Sequence, residues 1–199
     1  MRKEVPVYLF TGFLESGKTK FIQETLEDKS FNDGRRLLVL VLEEGEEEYD
    51  SSKFPKKANS FVEVVEDPFE LDSAALTALE IKYDVEGVMI EANGMMLISD
   101  LFRVLPENWM VYQFFMFADA RSIINYNNNM RALVFDKLQG AELVIFNRYN
   151  DSIDKMELHK LVRGANRRSM IVYEKENGDL ERDDIEDPLP FDIDAPVVK

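Results

Sequence analysis

The residues with the most chemical content are Gly12-Phe13-Leu14-Glu15-Ser16-Gly17-Lys18-Thr19, a complete G-x-x-x-x-G-K-[ST] run. A polyphosphate is held by several backbone N–H groups pointing at it together, and glycine allows the sharp turn and close approach this needs. A helix opening at Lys18 adds the positive end of its dipole. Lys18 is placed to pair with the β and γ phosphates, and Thr19 to offer its hydroxyl to Mg2+, whose other ligands would be phosphate oxygens and water. Gly12, Leu14, Glu15, Ser16, Gly17 and Lys20 complete the nucleotide-contacting stretch. A Mg2+-bound water needs a carboxylate on a neighbouring strand end: Glu91, after apolar 87–90, has that position, with Asp119 after 114–118 as its rival.

Those residues must be positioned by the elements around them. Apolar runs of strand length (5–10, 37–42, 61–65, 87–90, 111–117, 143–146 and 170–173) alternate with stretches of helical period (18–27, 73–82, 98–105, 122–138 and 153–162). Most of the strand runs are near-continuous in Val, Ile, Leu, Phe and Met, as in strands covered on both faces. The pattern predicts an α/β fold, a doubly wound, mostly parallel sheet of about seven strands with helices on both faces. The predicted nucleotide-binding domain spans 1–176. The remaining 177–199 is acidic, contains Pro188, Pro190 and Pro196, shows no burying period, and reads as a tail leading toward a further C-terminal region. His159 is expected on the exposed side of its helix.

Composition excludes several classes. The chain has no cysteine and one histidine, so thiolate metal sites, disulfides and His-rich clusters are out, and any metal must be held by oxygen. The net charge is -15, concentrated in residues 43–50, with six acids and no base, and residues 174–194, with ten acids against Lys175 and Arg182. No basic footprint remains for nucleic acid or an anionic membrane. No apolar run approaches the ~20 residues that cross a bilayer, and the N-terminus does not read as a signal peptide. A cytoplasmic protein without membrane insertion is expected.

Taken together, the motifs resemble the CobW-type P-loop GTPases, the group that also contains the UreG and HypB metallocentre-assembly proteins. Residues 7–19 are similar to that family's Thr-Gly-Phe-Leu-Gly-x-Gly-Lys-Thr opening. Glu43-Glu44-Gly45-Glu46-Glu47-Glu48-Tyr49-Asp50 resembles its switch segment Glu-Phe-Gly-Glu-x-x-x-Asp, and Glu91-Ala92-Asn93-Gly94 its Glu-x-x-Gly. Residues 141–151 resemble the guanine-reading strand ending Asn-Lys-x-Asp, which implies base-contacting roles for Asn147, Arg148 and Asn150. The resemblance implies a P-loop NTPase fold and Mg2+-dependent GTP or ATP binding. It also implies slow hydrolysis with Lys18, Glu46 and Glu91 as catalytic residues, and Thr19, Glu46, Asp50 and Glu91 around the metal. A protein partner or a second copy would complete catalysis, and a link to metal homeostasis is implied by the resemblance alone.

Three departures bear on this. The Cys-x-Cys-Cys motif should fall near 65–69, where there is none, so a soft-ligand metal relay is not expected. Glu15 stands where the family has Gly. Asn150 replaces the Asp that accepts from both guanine donors, which weakens guanine selectivity unless Asp151 slips in by one position. Two other functions remain open: a non-hydrolysing, nucleotide-dependent interaction module, and a small-molecule kinase on the same loop.

Overall fold

The computed structural model describes residues 3–43, 45 and 47–185. Seven parallel strands form its sheet: β1 (Val5–Gly12), β2 (Arg36–Val41), β3 (Asn59–Val64), β4 (Gly87–Glu91), β5 (Trp109–Asp119), β6 (Leu143–Tyr149) and β7 (Met170–Lys175). An eighth strand, β8 (Leu180–Arg182), pairs antiparallel with β7. The order is β3-β2-β4-β1-β5-β6-β7-β8, so β1 is central and its C-terminal end lies where the winding reverses, the place at which such sheets bind ligands.

The helices are α1 (Lys18–Glu27), α2 (Ser73–Tyr83), α3 (Ile98–Val104), α4 (Ile123–Asn129), α5 (Arg131–Gly140) and α6 (Lys155–Ala165). The stretch expected as one helix over 122–138 is two, broken at Met130, whose φ of -135° and ψ of 46° are not helical. Side chains alternate along β1, so Val7 and Leu9 join one core with residues of α2, α3, α5 and α6, while Phe10 joins the other with Ile22 and Leu26 of α1. Helices thus cover both faces, but unevenly.

The C-terminal boundary differs from expectation. Residues 177–185 do not trail away: they turn at Gly178, whose φ of 85° suits glycine, and return as β8. The acids of this stretch find bases from elements distant in sequence. Lys155 reaches Glu181 at 2.7 Å and Asp184 at 2.8 Å, and Asp183 accepts from Tyr173 at 3.0 Å. His159 is 2% exposed with Nδ1 at 2.6 Å from Asp183, so it is a buried anchor of this return and not a surface residue. Residues 186–199, the rest of the expected tail, lie outside the described residues.

Candidate functional site

The loop after β1 has the form an anion requires. Gly12 (φ 143°) and Gly17 (φ 94°) take conformations disfavoured for other residues, and a Cβ on Gly17 would sit 2.6 Å from Asn147 Nδ2. Gly17 also opens α1 without a side-chain cap or an acid in the first turn, leaving the helix's first N–H groups free of side-chain partners. Thr11 Oγ1, Ser16 Oγ and Asn147 Oδ1 are buried without a hydrogen-bond partner, a concentration of unmet polar atoms that a bound ligand would relieve. Beside the loop lies a cleft of about 120 Å3, lined by residues 14–19 with Glu43, Glu47, Glu91 and Arg148.

Lys18 lies over its own loop. It is 3% exposed, and its ammonium donates to Gly12 O at 2.9 Å, Phe13 O at 3.0 Å and Glu43 Oε2 at 2.8 Å. All three donors are used. Glu43 accepts on its other oxygen from the Gly94 N–H at 2.9 Å, so one carboxylate ties the phosphate loop to the turn after β4. That turn is held from beneath as well. Fully buried Lys137 donates to Met96 O at 2.9 Å and lies 5.7 Å from the centre of the Phe13 ring; burial pushes its pKa down to about 8.

Glu91 is the last residue of β4, aligned with Phe10 of β1 and Val41 of β2, and this register delivers it to the loop. It is 3% exposed. Thr19 Oγ1 donates to Glu91 Oε1 at 2.6 Å and Tyr49 Oη to Glu91 Oε2 at 2.5 Å. Burial raises its pKa above the usual carboxylate range against the lowering effect of these two hydrogen bonds. Thr19 and Glu91 are oxygen donors side by side. Among the described residues no group of three or more His, Cys, Asp or Glu forms a metal cage. Mg2+ fits this sparse set, since it takes one or two protein ligands and completes its octahedron with phosphate oxygens and water.

Other expected residues sit differently. Asp119 is not at the cleft: it receives Arg148 Nη1 at 2.9 Å and Arg121 Nη2 at 2.8 Å. Burial would lift its pKa, but the Arg121 hydrogen bonds and the guanidinium charges hold it below the ordinary value. Asp50 does not line the cleft either. Its carboxylate accepts from Ser52 N at 3.0 Å and Ser52 Oγ at 2.5 Å, capping a 3-10 turn over Ser51–Lys53, because a local Asx turn satisfies it first. Glu46 lies outside the described residues.

On the base side, Gly17, Glu47 and Arg148 also border a second cavity of about 140 Å3, which Lys20 and Asn147 line with Glu174, Lys175 and Glu176. Asn147 Nδ2 donates to Ser16 O, and Arg148 Nη1 to Glu15 O at 2.9 Å, stitching β6 to the phosphate loop. Asn150 is absent from this cavity. Its Oδ1 accepts from Ser152 N at 3.0 Å and Ser152 Oγ at 2.5 Å in another local turn, and Asp151 accompanies it into a different cavity. Asn150 and Asp151 thus line a different cavity from Asn147 and Arg148. Sequence reasoning missed Glu43, Tyr49 and Glu174. The first two lay inside the quoted switch segment; Glu174 was read only as the first acid of the 174–194 stretch.

Glu15 occupies the left-handed region at φ 58° with its side chain exposed, where glycine is the unstrained choice. Glu15→Gly is expected to leave stability within about 1 kcal/mol, since relief of strain offsets the added chain entropy. It should tighten triphosphate binding about threefold by removing an exposed like charge. Thermal unfolding and calorimetry check the two parts.

A family model for the CobW/HypB/UreG nucleotide-binding domain matches residues 6–172. No curated protein matches the chain. Among solved structures, it is similar to the Zn(II)-bound YjiA GTPase from E. coli at 19% identity and TM-score 0.61, over 85% of this chain and 57% of that one. The hydrogenase maturation factor HypB from Archaeoglobus fulgidus aligns at 17% identity and TM-score 0.60, over 87% and 82%. The cell division protein FtsY from Thermotoga maritima aligns at 14% identity and TM-score 0.52, over 92% and 67%. At these identities the structures speak for the fold alone, and the chain spans less than three-fifths of the YjiA chain's length. Residues 6–172 are most of this protein, and it belongs to the CobW/HypB/UreG nucleotide-binding domain family.

Proposed function

We propose that the protein binds GTP or ATP together with Mg2+, hydrolyses it slowly, and changes shape for a protein partner. The observation that carries this reading is the junction of uncapped α1 and the unpartnered Thr11, Ser16 and Asn147 side-chain atoms with the Thr19–Glu91 pair at 2.6 Å. The loop amides, Ser16 Oγ and Lys18 would hold the phosphates, and Thr19 and Glu91 would hold the ion directly and through water. When bound, Mg2+ supplies positive charge to the β and γ phosphate oxygens, where negative charge develops during transfer. A phosphate on Lys18 would compete with Glu43 for its ammonium, so Glu43 acts as a latch on it. Because Glu43 also holds Gly94, release of the latch would be felt in the turn after β4.

The carboxylates Glu15, Glu43, Glu47 and Glu91 around the cleft oppose a polyanion until a cation compensates them. Binding should therefore depend steeply on Mg2+. Zn(II) is bound by the similar YjiA structure; residues 1–199 carry no cysteine, and their one histidine is packed against Asp183. Calorimetry with GTP, GDP and ATP, with and without Mg2+, tests the reading. Absence of nucleotide binding overturns it, and tight binding without phosphate release leaves a nucleotide-dependent interaction module.

For base selection, the cavity beside Asn147 offers Glu174, whose carboxylate can accept from both N1–H and the 2-amino group of guanine. Glu174→Gln is expected to lower the GTP-to-ATP affinity ratio about tenfold, read by competition. An unchanged ratio places base reading elsewhere.

A further inference from the structure

Lys137 is completely buried on α5, yet its ammonium makes one hydrogen bond, to Met96 O at 2.9 Å, and no ion pair among the described residues. Two of its three N–H groups therefore have no acceptor there. An apolar side chain of similar length would fill the space at lower cost, so the charge asks for a reason. We propose that Lys137 is a second cation of the phosphate site, acting from behind the loop, so that triphosphate binding and retention of the Lys137 proton favour each other. This deepens the nucleotide reading and rests on it.

Three layers put the ammonium in that place. The phosphate loop is the first, and the turn after β4 lies directly against it: a Cβ on Gly94 would fall 2.9 Å from Phe13 Cα and 3.0 Å from Gly12 O. Behind the turn, consecutive residues of α5 grip the chain that leads into α3. Asp136 Oδ2 accepts from Ile98 N at 2.7 Å, and Lys137 donates to Met96 O. The Phe13 ring, stacked on Tyr126 at 4.2 Å, has Lys137 Nζ 5.7 Å from its centre, so a side chain of the loop itself lies within cation–π reach.

The cleft has use for another positive charge. Glu15, Glu43, Glu47 and Glu91 line it against Lys18 and Arg148. A cation in the interior is screened far less than one in the solvent-facing cleft. Burial and the Lys18 charge work against the Lys137 proton, while the charges of Asp136 and Glu43 favour it; the balance leaves its pKa at about 8. The charged groups of α3, Asp100 and Arg103, are exposed and pair with each other at 2.7 Å. Phosphates on Lys18 would add to the favourable side and raise the pKa of Lys137, and by reciprocity the protonated form binds phosphate more tightly. Affinity is thus greatest below about pH 8 and falls as pH rises through that value toward the higher pKa of the complex.

The test uses the whole protein and Lys137→Met, which keeps most of the stem's volume and removes the charge. Calorimetry with Mg2+ and GTP or ATP is expected to show about fivefold weaker binding by the variant at about pH 7, the order of one partly screened charge near the ligand. The gap should close to within about twofold by about pH 9.5, where wild type has lost the same charge. Wild type titrated at about pH 8.5 in two buffers of different ionisation heat should take up about a third of a proton on binding, and the variant none. No gap at the lower pH, a gap equal at both, as a purely structural role would give, or no proton uptake by wild type overturns the proposal and leaves the nucleotide reading intact. Absence of nucleotide binding by wild type at either pH overturns both.

Discussion

Lys18→Ala is expected to weaken triphosphate binding by about 2–3 kcal/mol, roughly thirty- to a hundred-and-fifty-fold in Kd, the worth of a hydrogen-bonded ammonium on an anion. The loop would keep its amides but lose its one ammonium, and Glu43 would be left facing the phosphates uncompensated. That orphaned carboxylate also threatens the fold, because breaking a buried pair costs about 3–5 kcal/mol when one partner is removed. Lys18→Ala with Glu43→Gln separates the two effects. The double variant should recover stability and part of the affinity lost, while still binding more weakly than wild type. Glu43→Gln alone should bind more tightly than wild type, since Lys18 no longer has a carboxylate to leave. Calorimetry on the four proteins closes the cycle, and a Lys18→Ala affinity within twofold of wild type would sink the phosphate-loop reading.

The second large effect concerns the ion. Glu91→Gln is expected to leave GTP affinity in EDTA within about twofold while cutting the gain from added Mg2+ about tenfold, since one buried charge near the ion is lost. The substitution is nearly isosteric, and Thr19 and Tyr49 are hydroxyls that accept as well as donate, so both can turn to the new amide. Stability should hold or rise, because burial already disfavours the charged carboxylate. An undiminished Mg2+ gain would remove Glu91 from the ion's surroundings.

The placement of the Gly12–Thr19 loop and of Glu91 beside it was legible in the sequence because it is set by short-range spacing. Two glycines at fixed separation force the turn, and an acid ending an apolar run is delivered to the strand's C-terminal edge wherever that strand pairs. The strands read from continuous apolar runs all formed, since burial on two faces leaves that mark in sequence. The surroundings of Asn150 and Asp50 were not legible. Asn150 and Asp50 matched motif positions, but each is followed two residues later by a serine that captures its side chain in a local turn. Glu174 reaches the cavity only because β7 lies beside β6 and ends level with the loop.

The acidic stretch at 174–185 misled for a related reason. It is acidic and shows no burying period, yet Lys155 and the buried His159 come to it from α6. Sequence by itself determined where the chain could turn, which runs had to be buried, and that a glycine-flanked loop would open α1. Tertiary structure decided which acids stand opposite which bases: Glu43 on Lys18, Tyr49 on Glu91, Asp183 on His159. Backbone conformation and burial period are written in neighbours a few residues apart, whereas a charge's partner is chosen by sheet order and register among residues tens of positions away.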